Sequence, residues 1–121
     1  MTLNAAWDKY KGKDFLYVDY GACESCGEMM ALLEKEIEML RQAGGKSLIL
    51  ANFSGATVEG SFITHAKKLG KIFEEHTAKA AILGIHGTHR MLLRAYNNIV
   101  PWGNKIEPFD DKTSAMEYLV N

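Results

Sequence analysis

The segment Gly44-Gly45-Lys46-Ser47-Leu48-Ile49-Leu50-Ala51-Asn52 decides the fold. Its two glycines tolerate the left-handed backbone that ends helices, and they close an amphipathic stretch on their N-terminal side. Ser47 to Ala51 then run almost without a polar break. A short apolar run with no alternation suits a strand covered on both faces, as in a parallel sheet. Before the glycines, from about Ser25 to Ala43, Met29, Leu33, Ile37 and Leu40 recur at helical spacing with Met30 beside them. Glu34, Lys35, Glu36 and Glu38 are assigned to the wet side of that helix.

Working outward, the same alternation repeats. Phe15-Leu16-Tyr17-Val18 reads as a strand. Met1 to Gly12 carries Trp7 and Tyr10 without a clear period, and is either an irregular lead-in or a short edge strand. After the decisive strand, Asn52 to Gly60 is a loop of small residues, and Phe62, Ala66, Leu69 and Phe73 form the stripe of a second helix. Lys67, Lys68, Lys71, Glu74 and Glu75 face water, and Gly70 inside that helix suggests close packing on the sheet. Ala80 to Ile85 is a third strand. Gly87 and Thr88 start a third helix with Leu92, Leu93, Tyr96 and Ile99 inward, and Pro101 ends it. Lys105 to Phe109 is a weaker strand that Pro108 consigns to an edge. Asp110 or Asp111 caps a last helix, with Ala115, Met116, Leu119 and Val120 on its inner side. Strand followed by helix, four times over, predicts one α/β domain spanning residues 1–121, with a mainly parallel sheet of four to five strands.

At 121 residues and 47% hydrophobic, the chain can bury a core without disulfide or metal staples. Fourteen basic against 15 acidic residues, with no like-charge run, argue against a nucleic-acid partner. No segment is apolar for long enough to span a bilayer, and the N-terminus has no signal-peptide pattern, so a cytoplasmic protein with reduced thiols is expected.

Ligands of open α/β sheets gather beyond the carboxyl ends of the strands. Here Cys23 and Cys26 follow the first strand, Asn52 and Ser54 the second, and His86 and His89 the third. Cys23-Glu24-Ser25-Cys26 opens a helix, where exposed N–H groups and the helix dipole allow a lowered thiol pKa. The plainer reading is two small, half-buried residues at a helix start. A redox-sensing role for the cysteines is one alternative; with His86-Gly87-Thr88-His89 they could instead complete a tetrahedral zinc site, but the first and third strands then lie roughly 9 to 10 Å apart across the second. No cofactor is expected. His76, at the end of the second helix, suits a helix-dipole contact, and His65 reads as a surface residue. No Ser/His/Asp order, phosphate loop or paired-carboxylate spacing marks an enzyme.

Four phrases carry a family resemblance: Tyr10-Lys11-Gly12-Lys13 leading into Leu16-Tyr17-Val18-Asp19-Tyr20; Leu48-Ile49-Leu50-Ala51-Asn52-Phe53-Ser54-Gly55; Lys79-Ala80-Ala81-Ile82-Leu83-Gly84-Ile85-His86-Gly87 with Leu92-Leu93 and Ala95-Tyr96-Asn97; and Pro108-Phe109-Asp110 with Ala115-Met116-Glu117-Tyr118-Leu119. In this order they resemble the SpoIIAA-like family, relatives of the STAS domains. The resemblance implies a four-unit β/α superhelix. It also implies a regulatory, non-enzymatic module that binds a protein partner, through Asn52, Ser54, Glu59 and Ser61 on the loop and helix start after the second strand. In anti-sigma factor antagonists a serine there is phosphorylated. The matching stretch here is Val58-Glu59-Gly60-Ser61, with glycine in the acceptor's place. Lipid-transfer domains share the superhelix, so a small apolar ligand or lipid is the alternative, in a pocket lined by Phe53, Phe62, Phe73 or Met91. Finally, the weak last strand with Pro108, and Trp102 and Tyr118 near it, suggest a homodimer, four helices covering the sheet two to a face.

Overall fold

The computed structural model describes residues 4–87, 90, 91, 93, 94 and 106–121. Lys11 (φ 48°) and Gly12 (φ 80°) both take positive φ, the requirement of a two-residue turn whose twist suits a hairpin. They join β1 (Ala5–Tyr10) to β2 (Lys13–Asp19) in antiparallel pairing. The lead-in is therefore the edge strand, one of its two expected forms. It carries no clear period because most of it is exposed, Trp7 included.

The chain then follows the strand–helix order. Helix α1 (Cys26–Ala43) starts at Ser25, whose Oγ accepts from Glu28 N at 3.1 Å and satisfies one of the free N–H groups of the first turn. After β3 (Ser47–Asn52) come α2 (Gly60–Lys68), α3 (Gly70–His76), β4 (Thr77–Leu83), β5 (Ile106–Phe109) and α4 (Lys112–Val120). The sheet has five strands in sequence order, and β2 to β5 pair in parallel. Pro108 lies on the edge strand β5, where its missing N–H is tolerated. Asp111, not Asp110, caps α4 by accepting from Ser114 N at 2.8 Å.

Two expectations change. The single helix through Gly70 is two helices, because the backbone leaves helical geometry at Leu69 (φ −96°, ψ 2°) and restarts at the buried Gly70. The third strand stops at Leu83, since Gly84 turns the chain with φ 79°. The helix expected from Gly87 to Ile99 lies largely outside the described residues, of which 90, 91, 93 and 94 are helical. Pro101, Trp102 and Lys105 lie outside them too.

Side chains alternate across the sheet. Leu16, Val18, Ile49, Ala80 and Ile82 join the core on the face covered by α1, α2 and α3, whereas Phe15, Leu50, Ala81 and Leu83 meet Ala115 and Leu119 of α4 on the other. Among the described residues α1, α2, α3 and the helical residue Leu93 pack on one face and α4 on the other, not two to a face. Each of the fully buried Leu16, Leu32, Leu40 and Leu50 contributes about 1.5–3 kcal/mol relative to exposure. Among the described residues no helix is long and apolar enough to cross a membrane.

Candidate functional site

Three parallel strands bring their carboxyl ends together, and the chain is clasped there. A methyl group on Gly21 would lie 2.1 Å from the Ser54 carbonyl oxygen, and one on Gly84 would lie 2.3 Å from Ser54 N. Two glycines thus let the β3–α2 connection pass between the ends of β2 and β4. Asn52 holds the same turn. Its Oδ1 accepts from Ser54 N at 2.9 Å, and its amide nitrogen donates to the Tyr17 hydroxyl at 3.0 Å. Phe53 N donates to Leu83 O at 2.8 Å.

This turn sends Phe53 into the helical face. Its ring stacks on Tyr20 at 4.6 Å between centroids and 7° between planes, and Phe62 meets both rings edge-on at 5.9 and 5.5 Å. The Tyr20 hydroxyl donates to Glu36 Oε1 at 2.7 Å, and Glu36 is only 4% exposed. Beside the three rings lies a partly open pocket of about 120 Å³, lined by residues of α1, α2, α3, β3, β4 and β5, with Ile49, Phe73, Leu93 and Ile106 among them. Among the described residues its wall is apolar except for Tyr20 and Glu36. Burial pushes the Glu36 carboxyl up to about 7, against the Tyr20 hydrogen bond, which lowers it. Burial, then the neighbouring Glu36, holds the Tyr20 phenol well above its ordinary range. The cavity therefore carries one acid that titrates near neutrality.

Glu36 corrects the assignment of that residue to the wet side of α1. It stands four residues after Leu32 and four before Leu40, both fully buried, so helical spacing alone puts it on the inner stripe. Charge argued otherwise, and only a partner from another element, Tyr20, makes its burial tolerable.

The expected site residues fall in different places. Cys23 and Cys26 are free thiols, half-buried against the helical-face core, which matches the plainer reading. The lowered thiol pKa is overturned for Cys23, which burial, then Glu28 and Asp19, push upward. Among the described residues no group of three or more His, Cys, Asp or Glu side chains is placed to hold a metal. His86 is exposed, and His89 lies outside the described residues. Of the loop residues, Asn52 is engaged in the turn, whereas Ser54, Glu59 and Ser61 are exposed. Ser61 Oγ sits 3.4 Å from Cys26 Sγ, joining the starts of α1 and α2. Phe53, Phe62 and Phe73 line the cavity as expected, but Met91 does not; it is 67% exposed. His65 pairs across α1 and α2, its Nε2 2.9 Å from Glu34 Oε1, so it is more than a plain surface residue. His76 ends α3, with Nδ1 buried and without a hydrogen-bond partner among the described residues.

No protein-family model matches the sequence, and no curated protein does. The structure is similar to the crystal structure of an uncharacterised DUF3478-family protein with a SpoIIAA-like fold from Shewanella loihica PV-4. The TM-score is 0.66 at 17% identity, over 97% of this chain and 93% of that one. The fold is therefore SpoIIAA-like.

Proposed function

We propose that the protein is a non-enzymatic module that binds a small apolar molecule in the cavity beneath Phe53 and Phe62. One observation carries this reading. A largely apolar, partly open pocket of about 120 Å³ lies against the buried side chains of the helical face, whereas protein interiors normally leave few voids larger than a water molecule. An enclosed apolar cavity of about 150 Å³ binds benzene, so a pocket of this volume has room for a compact apolar guest. That scale fits a compact molecule better than a full acyl chain, which narrows the lipid alternative. Native mass spectrometry of protein purified without denaturation tests the reading. A bound small mass should be found, and it should be lost in Ala66→Phe, which fills the cavity from α2. Equal bound mass in both proteins would overturn it.

A second reading rests on the segment that walls the same cavity. Ser54, Thr57, Glu59 and Ser61 are exposed on one short stretch, whereas Val58 and Phe62 of that stretch line the cavity. A regulatory protein partner docking on this loop would sense the occupant through Val58 and Phe62. Gly60 stands where the family's phosphoacceptor would be, so control by occupancy replaces control by phosphate. Capture of a defined partner that is unchanged by Glu59→Ala with Ser61→Ala would count against it.

A further inference from the structure

Helix α2 walls the pocket with Phe62, Ile63 and Ala66, and Val58 of the preceding loop joins them. Its anchoring is slight. Of its nine residues only Phe62 is buried, whereas α1 buries six along its inner side. Its first turn has no side-chain cap, since Glu59 stands at the N-cap position without bonding to it. Both ends are joints. Ahead of α2, residues 56–59 have no regular structure and lead from the clasped Ser54. Behind it, the backbone leaves helical geometry at Leu69, and the buried Gly70 starts α3. A segment with few buried side chains, held between two non-helical joints, moves as a unit at low cost in free energy.

Two contacts hold α2 against α1, and both are at the surface. Ser61 Oγ stands 3.4 Å from Cys26 Sγ, and His65 Nε2 stands 2.9 Å from Glu34 Oε1. Exposed polar contacts exchange for water at little net cost. Resting on the pocket reading above, we infer that α2 is the lid of that pocket, latched to α1 by the Cys26–Ser61 and His65–Glu34 contacts and hinged after Ser54 and at Leu69. Opening withdraws Phe62 from the rings of Tyr20 and Phe53, and the exposed Glu59 and Ser61 move with it. A lid has a kinetic signature that a purely structural helix lacks. When a guest passes only through the open state, a change in the open population scales uptake and release alike and leaves the affinity where it was.

Fluorine NMR exchange spectroscopy with fluorobenzene and the intact chain tests this. In Ser61→Cys combined with Cys23→Ser, the new thiol faces Cys26. Oxidised glutathione joins the two thiols in a disulfide and is itself reduced to two glutathione thiols; dithiothreitol reverses the bond. The oxidised protein should exchange the probe at least about tenfold more slowly than the same protein reduced, with Kd equal within about twofold. Glu34→Ala should speed uptake and release together by roughly two- to fivefold, the worth of one exposed pair. Failure of the disulfide to form would show that the two helix starts do not meet, and would overturn the latch. Equal exchange in the oxidised and reduced forms, or a Glu34→Ala protein changed in affinity but not in rate, would overturn the lid while the pocket reading stands. If fluorobenzene binds none of these proteins, unaltered chain included, the pocket reading falls and the lid with it.

Discussion

Replacing Glu36 by Gln should stabilise this protein, and only at alkaline pH. Burial lifts the folded-state pKa of Glu36 from the usual 4.5 to about 7, so the folded chain holds this proton more tightly than the unfolded chain. The stability so contributed is fully present below about 4.5 and is lost as pH rises through about 7. Above that range the loss levels off at about 3 kcal/mol, from 1.36 kcal/mol for each factor of ten in proton affinity. Glutamine has nearly the same shape, accepts from the Tyr20 hydroxyl as the carboxyl does, and never ionises. Its extra N–H needs a partner, and lacking one lowers stability by about 1 kcal/mol at every pH. That offset cancels when one pH is compared with another. So do the carboxyls of Asp111 and Glu117, held low by hydrogen bonds that the substitution does not touch. Urea unfolding at pH 5 and pH 8.5 is the assay. Wild type should lose about 3 kcal/mol between the two relative to Glu36→Gln, or roughly 10 °C in Tm for a chain of this length. Equal pH dependence in the two proteins, within about 0.5 kcal/mol, would show that Glu36 is not the buried acid described.

Tyr20→Phe removes the donor to Glu36 and should destabilise by about 1–3 kcal/mol. It should also move the Glu36 carboxyl above about 7, because that hydrogen bond lowers it; an NMR titration of the carboxyl carbon reads the direction. Gly84→Ala combines a φ of 79° with a methyl group 2.3 Å from Ser54 N, and should cost roughly 3 kcal/mol or more. Gly12→Ala, at φ 80° with nothing within 4 Å, should cost only about 1–2 kcal/mol; similar losses in thermal unfolding would remove the case for a clasped loop. Static light scattering tests assembly. With β5 at the sheet edge a homodimer is expected, and a mass near 13.5 kDa that persists to roughly millimolar protein would refute it.

Much of the fold was legible because its signals are local. Apolar runs without alternation marked β3 and β4, a stripe at helical spacing marked α1, and Gly44, Pro108 and Asp111 punctuated the chain. Where signals depend on distant partners, sequence misleads. Strand β1 hides because pairing with β2, not burial, holds it. The break at Leu69 is invisible because Phe73 continues the helical stripe beyond it. At the candidate site the three aromatics Phe53, Phe62 and Phe73 were legible as large apolar residues in a loop and on the stripe of one expected helix. The Tyr20–Glu36 pair was not. An isolated glutamate in a helix reads as solvated, and nothing local announces a tyrosine sixteen residues earlier that donates to it. The clasp on Ser54 likewise needs Gly21 and Gly84 from two other loops.

The acid inside this core sets stability against specificity. A methionine or leucine at position 36 would fill the α1 stripe between Leu32 and Leu40 and remove a penalty of about 3 kcal/mol at alkaline pH. A fold of this size has a total stability on the order of 5–15 kcal/mol, so that penalty is a large fraction of it. Buried acids can persist for structural reasons, through the register they impose, or because a guest needs them. Glu36→Met separates the two. A structural acid predicts a variant with loosened packing around Tyr20, whatever it binds. A binding acid predicts a variant about as stable as wild type at pH 8.5, the lost charge burial offset in part by the Tyr20 hydroxyl left without its acceptor, and altered in what it binds. That is the trade between stability and activity expected of a functional site.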